Sequence, residues 1–494
     1  MKVIYFIAIM ATVGILGGCS SDFLDQIPTE SIDENEVVTT TENLYVALNG
    51  LHRSLYLRYE SQSEGGIGAM MIQADALGED VVMTSSGNGW YNRDYQWLNH
   101  TDANSSGTLF PYRVLYRINR NANVIINNVD QAVGPAEDKA MLKGQALTYR
   151  AYCHFELVQR YGKRYEAGQV NNQLGVPLVL TKVIGLPSRA TVEEVYAQIN
   201  EDLDQAIDLL KDYQRFNKSH LDRGVALGLK ARVALVQGQW NTAAQYANEA
   251  REGYALMSPS LYRSGFNNFE NPEWMWGSHI IIDQTLYFAN FGAYMSRNYS
   301  SSNIRSNPKA INSWLYKQIP ESDVRSTLFD PTGQHKNMPS GYYLPASFSK
   351  KPYTSQKFLA ASDADSRMDI PYMRAAEMYL IEAEAKAQLG ADAAASQLLY
   401  ELVKTRDPNY VATDKTGAEL LREIQLQRRI ELWGEGFRFF DLKRTNAPLD
   451  RTQTNHSATL TGGLLEVNSG DNRWQWLIPQ KEINANINIK QNPL

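Results

Sequence analysis

Cysteine is nearly absent: 494 residues hold two, Cys19 and Cys153, too few for a disulfide framework. The seven histidines (52, 100, 154, 220, 279, 335 and 456) are scattered, and no HExxH or other metal-ligand spacing joins them. The chain has no GxSxG nucleophile elbow, no glycine-rich phosphate loop and no EF-hand-like run of acidic residues. Basic runs and helix-turn-helix patterns are missing, and a formal charge of −6 is that of an ordinary acidic surface. Nucleic acid is therefore not an expected partner, and neither a metal nor a cofactor is expected. Long apolar runs are lacking too. The stretch Val3–Leu16 covers only about 14 residues, short for a membrane span.

That stretch follows Met1-Lys2 and leads into Leu16-Gly17-Gly18-Cys19. A charged start, an apolar core and small residues before a cysteine predict a lipoprotein signal peptide over 1–18. Cys19 is then the lipidated first residue of the mature chain, and several acyl chains hold a protein where one does so only marginally. Residues 19–40, polar and carrying Pro28, read as a tether. Cys153 sits in the apolar TYRAYCHFELV and is expected to be buried and inert.

From residue 41 the pattern is helical. Leu44, Leu48, Leu51 and Leu55 fall at steps of four, three and four, one face of a helix over 41–59. Further helices are expected near 110–129, 137–162, 191–212, 222–237, 240–253, 371–389, 392–405 and 417–433. Three of them share a frame: Ala151, Phe155, Gln159, Gly162; Leu227, Ala231, Leu235, Gly238; and Tyr379, Ala383, Ala387, Gly390. Small residues let paired helices approach, and the glycine ends the first helix of each pair, the logic of a tetratricopeptide repeat. The fold class is thus mostly α, a repeat-like scaffold forming one domain over 41–494, with repeat pairs near 137–255 and 371–445. The loop-rich block at about 256–370 interrupts them.

Tyrosine and tryptophan are abundant, at 28 and 9. Two stretches concentrate them outside helical periodicity, residues 78–107 and 273–316, and long aromatic loops on a helical scaffold point to recognition. Trp90, between Gly89 and Tyr91, is the first candidate platform, with Asn88, Arg93 and Asp80 as polar partners. Asp80 could equally cap a turn. In the second stretch Tyr287 and Tyr294 are preferred over Tyr299, Phe288 and Phe291, and Trp314 is a second platform or a helix-face residue. Tyr342 or Tyr343 could add a third. Trp97, Trp274 and Trp276 read as core. Glu79, Asp80 and Asp94 could be imagined as a glycosidase acid and nucleophile, but adjacent loop carboxylates are commonplace.

Two C-terminal segments are the most distinctive. QRRIELWGEGFRFFDLKRTNAP begins at Gln427, and RWQWLIPQKEINANINIKQNPL runs from Arg473 to the end. In the first, Gly434 and Gly436 allow a break after a helix, and Glu435, Arg438 and Asp441 can pair along one face if helix resumes. Its ions read as structural, with Trp433, Phe437 and Phe440 as core. In the second, Trp474, Trp476 and Ile478 alternate like a short strand.

Together these segments resemble the C-terminal end of the SusD/RagB family, with Trp433 and Ile487 as departures. SSDFLDQIPTESI after the lipidated cysteine, and LFPYRVLYRINRNANVIINNV from Leu109, are similar to family segments as well. The resemblance implies a surface lipoprotein of the outer membrane that captures glycans without chemistry and passes them to a TonB-dependent, SusC-like transporter. Sugar rings offer an apolar face for aromatic stacking and a rim of hydroxyls for Asn, Asp and Arg. A RagB-like peptide binder and a repeat-based assembly lipoprotein are the alternatives.

Overall fold

The computed structural model describes residues 38–181 and 185–494. The signal peptide, Cys19 and the tether up to residue 37 lie outside the described residues. Helix α1 (Thr41–Ser54) opens on Thr40, whose hydroxyl accepts from the Asn43 N–H, and it buries Leu44, Leu48 and Leu51 as their spacing demands. It stops short of residue 59 because the Leu55 carbonyl is taken by the Ile67 N–H at 2.7 Å. That bond starts α2 (Gly66–Leu77), in which every residue but Met71 is buried. Sequence periodicity does not find α2, since a helix apolar all round has no contrast between faces. Gly66 is at φ +60, and a Cβ there would meet the Leu55 carbonyl oxygen at 2.1 Å.

The scaffold is built from α3 (Ser106–Asn128), α4 (Ala136–Tyr161), α5 (Val192–Leu209), α6 (Arg223–Gln237) and α7 (Trp240–Ala250), then α8 (Ala375–Gln388), α9 (Asp392–Lys404) and α10 (Gly417–Glu431). Caps mark several starts: Thr191 and Glu194 form a reciprocal capping box on α5, and Asp222 accepts from the Val225 N–H on α6. Gly238 and Gly390 take the left-handed conformation after their helices, at φ +68 and +73, as the repeat frame requires. Helices α4 and α5, α6 and α7, and α8 and α9 pair as antiparallel neighbours. The chain is mostly α on a tetratricopeptide-like scaffold. The repeats are interrupted in sequence but not in space. Helix α7 packs directly on α8, with Arg251 bonding Glu382 at 2.9 Å, and the block between them loops outward.

Strands are few and short. Strands β1 (Val81–Met83), β3 (Lys309–Ile311), β4 (Phe329–Asp330) and β5 (Thr354–Ser355) form a sheet in the order β1-β3-β5-β4. Its β1–β3 register, Val82 opposite Ala310, stitches the first aromatic stretch to the second. Strands β2 (Trp274–Ser278) and β6 (Ile370–Arg374) pair where the block leaves and rejoins the scaffold, and Trp274 and Trp276 are core, on β2 itself. β7 (Leu449–Asp450) pairs β8 (Glu466–Val467). The strand expected at 474–478 is instead a 3-10 turn over 472–474 followed by extended chain. Its amides are spent singly, Trp476 N–H on the Arg160 carbonyl and Leu477 N–H on that of His100.

Helix does resume at α11 (Arg438–Thr445), but Glu435, Arg438 and Asp441 do not pair with one another; along the helix Asp441 meets Arg444 at 2.7 Å. Each reaches another element: Glu435 to Arg374 and Lys357, Arg438 to Glu79, and Asp441 to Arg428. Trp433 and Phe439 are core, whereas Phe437 and Phe440 are half-buried. Beneath this segment lies a fully buried ionic cluster. Glu431, which ends α10, faces Arg374 at 3.0 Å, Arg406 at 3.1 Å and Arg325 at 3.3 Å. Arg406 and Arg374 also hold Glu273, Arg325 holds Asp323, and Lys357 donates to Glu435 at 2.6 Å. Burial alone would raise the Glu431 carboxyl, but Arg406, Arg374 and Arg325 overturn that and hold it far below the usual range.

Glu431→Gln leaves three guanidiniums facing one neutral amide. We expect a loss of about 3–5 kcal/mol in urea unfolding; a loss under about 1 kcal/mol would refute this role. Asp441 follows the same logic, since burial would raise its carboxyl but Arg428 and Arg444 bring it down to about 2. A depressed carboxyl stabilises above its unfolded value of about 3.9. Stability should therefore fall as pH drops from about 4 toward 2, and Asp441→Asn should flatten that limb of a denaturation profile.

Candidate functional site

The aromatic loops are held as two groups. In the first, residues 84–91 are pinned to the second stretch: the Thr84 and Ser85 amides donate to Asn307 Oδ1 at 2.9 and 3.2 Å, and the Ser85 hydroxyl donates to the Ser306 carbonyl. Tyr91 sits in left-handed backbone at φ +61, unusual for a bulky residue, and this turns Trp90 outward. Trp90 is half-buried and rests edge-on against Tyr294, ring centroids 4.9 Å apart. Tyr91 meets the same ring at 5.2 Å.

Tyr294 is the post of this group and not its platform. It is 2% exposed, and its hydroxyl is shared between the carbonyls of Gln62 at 2.7 Å and Phe288 at 3.1 Å. The outward rings beside it are Tyr287 and Phe288, 51% and 48% exposed, while Tyr299 and Phe291 are buried. Tyr343 belongs to the same neighbourhood: it is exposed and donates to Asp363, whose carbonyl accepts from the Ser300 N–H. Phe288 was not expected outside; the turn that lends its carbonyl to Tyr294 leaves its ring in solvent.

Asn88 is exposed at the loop tip, and Arg93 is exposed while bonding Asp102 and Asn99. Under Trp90 lies a recess of about 140 Å³, lined by Glu64, Gln73, Trp90, Arg93, Asp94 and Asn99 among others. Asp94 is buried there, and burial lifts its carboxyl to about 7 against the hydrogen bonds of Asn99 and Gln73. The first group therefore brings together Trp90, Asn88, Arg93, Tyr287 and Tyr294.

The second group joins Asp80 to Trp314. Asp80 is 3% exposed and closed by Arg429 at 2.6 Å, and its carbonyl accepts from the Trp433 indole N–H. As placed, Asp80 offers no free oxygen to a ligand. It holds Arg429, whose guanidinium lies 5.3 Å from the centre of the Trp314 ring, and that ring is 47% exposed. Glu79 is likewise engaged: burial would raise its carboxyl, but Arg438 and Arg429 bring it below the usual range. Glu79 and Asp80 are thus ion-paired and Asp94 is buried elsewhere, so these three do not stand together as an acid and nucleophile. Among the described residues no group of three or more His, Cys, Asp or Glu could hold a metal ion, and no helix is long and apolar enough to cross a membrane.

Comparison with known proteins agrees with this architecture. Residues 283–494 match the SusD family, and residues 22–235 match a family described as starch-binding and associating with the outer membrane. A SusD-like protein of Formosa agariphila is 22% identical, over 90% of this chain and 91% of its own. A SusD-like carbohydrate-binding protein from Bacteroides vulgatus superposes with a TM-score of 0.80 at 26% identity, covering 91% of this chain and 97% of that one. A laminarin-binding SusD-like protein superposes with a TM-score of 0.70 at 22% identity, over 92% and 99%.

A post and a platform respond differently to substitution. Tyr294→Phe, which removes the hydroxyl that the Gln62 and Phe288 carbonyls accept from, should cost about 1–2 kcal/mol. Trp90→Ala should leave stability within about 1 kcal/mol. Thermal melts of the two variants distinguish the roles, and equal losses would overturn the assignment.

Proposed function

This chain belongs to the SusD family, and from that premise we propose that it is a non-catalytic, lipid-anchored protein of the cell surface. It captures oligosaccharides and hands them to a TonB-dependent, SusC-like transporter in the outer membrane. The observation that carries the reading is the grouping of outward rings, Trp90, Tyr287 and Phe288, about one buried tyrosine, with Asn88 and Arg93 at the rim. Such rings present flat apolar faces, and the amide and guanidinium reach hydroxyls. Trp314, stiffened by Arg429, is a further platform. The carbohydrate-binding and laminarin-binding relatives support glycans as the ligand class, with β-glucans the first to try.

An aromatic contact contributes about 1 kcal/mol beyond its area, so affinity rests on several rings acting together. Lipid anchoring through Cys19 would keep the protein beside its transporter and raise the effective concentration of one for the other, so each interface can be modest.

The test is calorimetric titration of the purified full chain in detergent with a glycan panel. One glycan class should bind, and Trp90→Ala or Tyr287→Ala should weaken it by about fivefold or more. Binding of oligopeptides with indifference to every glycan would overturn the reading in favour of peptide capture.

A further inference from the structure

A second cavity lies apart from the aromatic loops, where α4 ends against α11 and the C-terminal segment. Its volume is about 190 Å³, and its wall includes Lys163, Arg164, Lys443, Asp471, Asn472 and Trp474. None of these residues lines the recess under Trp90.

Lys443 is the unusual group. It is 6% exposed, and its ammonium donates to the carbonyls of Gln159 at 2.6 Å and Gly162 at 2.8 Å. Every arginine of the same stretch has a carboxylate: Arg428 has Asp441, Arg429 has Asp80, Arg438 has Glu79 and Arg444 has Glu384. Lys443 has none among the described residues. Arg451 is also bonded only to carbonyls, but its Nε and both Nη atoms are occupied, by Gly78, Tyr95 and Ala76. An ammonium carries three donors, so Lys443 keeps one beyond its two carbonyls, and the residue lines the cavity. The acids of the wall are already engaged, Glu166 by Arg164 at 3.3 Å and Asp471 by Arg473 at 2.8 Å. Lys163, exposed at the rim, has no ion pair among the described residues.

We propose that this cavity binds a small oxyanion, a carboxylate or an inorganic phosphate or sulfate, held by the remaining N–H of Lys443 and by the side chain of Lys163. Cations there outnumber free acids, and the wall includes the exposed side-chain amide of Asn472 besides. Burial pushes the Lys443 amine down to about 7. A bound anion would restore its charge, in the way carboxylates do for the neighbouring arginines.

The experiment titrates the full chain in detergent with acetate, galacturonate, phosphate and sulfate at constant ionic strength, by calorimetry. Saturable binding at one site per chain is expected, abolished in Lys443→Met and weakened about tenfold or more in Lys163→Glu. Tighter binding of galacturonate than of acetate assigns the site to sugar acids, and equal binding assigns it to free anions. Lys163 is exposed, so Lys163→Glu should melt like the parent chain and decides the matter if Lys443→Met does not fold. Binding unchanged in Lys163→Glu, or a response to all four that never saturates, overturns the proposal.

Discussion

Four cations and four carboxylates buried under the C-terminal segment are the constraint on which the rest of the molecule depends. Arg325, Lys357, Arg374 and Arg406 meet Glu273, Asp323, Glu431 and Glu435, with every side chain at most 4% exposed. Their desolvation cost is large, and packed apolar residues could give comparable stability. What ions add is a requirement for a particular geometry. Arg374 ends β6, Glu273 precedes β2, Glu431 ends α10, Arg406 follows α9, and Arg325 and Lys357 come from the outlying block. Any displacement of the block from the scaffold would strand a charge, so the cluster fastens an irregular segment to a helical one with little latitude.

The same fastening reaches the aromatic groups. Beyond Glu431 the chain turns through Gly434 and Gly436, both at positive φ, where a Cβ would meet the Phe358 ring at 2.7 Å or Met71 at 2.9 Å. That turn seats the Trp433 indole on the Asp80 carbonyl, and Asp80 in turn fixes Arg429 against Trp314. A segment rich in Glu, Arg and Asp is here a hub of support for the rings.

Legibility in the sequence followed contrast between faces. Helices α1, α5 and α7 were readable because each has an apolar stripe against polar residues, and the repeat frame was readable because its glycines end helices. Helix α2 was invisible for the opposite reason, and the alternation at Trp474, Trp476 and Ile478 suggested a strand where the chain merely extends between Arg160 and His100. The pairing of Glu435, Arg438 and Asp441 was misread as local because spacing reports only neighbours on one helix. Arg374, Glu79 and Arg428 are brought near them by tertiary packing, and only Asp441 also has a partner on its own helix, Arg444. In the loops, composition located the right segments but could not rank their residues. Tyr287 and Tyr294 are chemically alike, and only the carbonyls of Gln62 and Phe288, set by the fold, decide which hydroxyl is drawn inside. Asp80 looked available because the arginine that occupies it lies far along the chain.

The buried tyrosine also bears on how capture could work. Trp90, Tyr91 and Phe288 belong to loops that would otherwise sample many arrangements, and each ring ordered on binding costs about 0.5–1.5 kcal/mol. Packing Trp90 edge-on against Tyr294, and tying Phe288 to it through a carbonyl, meets that cost during folding. Each aromatic contact contributes only about 1 kcal/mol beyond area, so preorganisation decides whether a few such contacts bind at all. It need not make binding tight. Under the proposed function, cargo that is to be released again is served by several weak contacts on a rigid frame, because each can be broken in turn as the ligand leaves. A single deep pocket of equal total affinity would have to release everything in one step, and the shallow, outward placement of Trp90, Tyr287 and Phe288 is the geometry of the former.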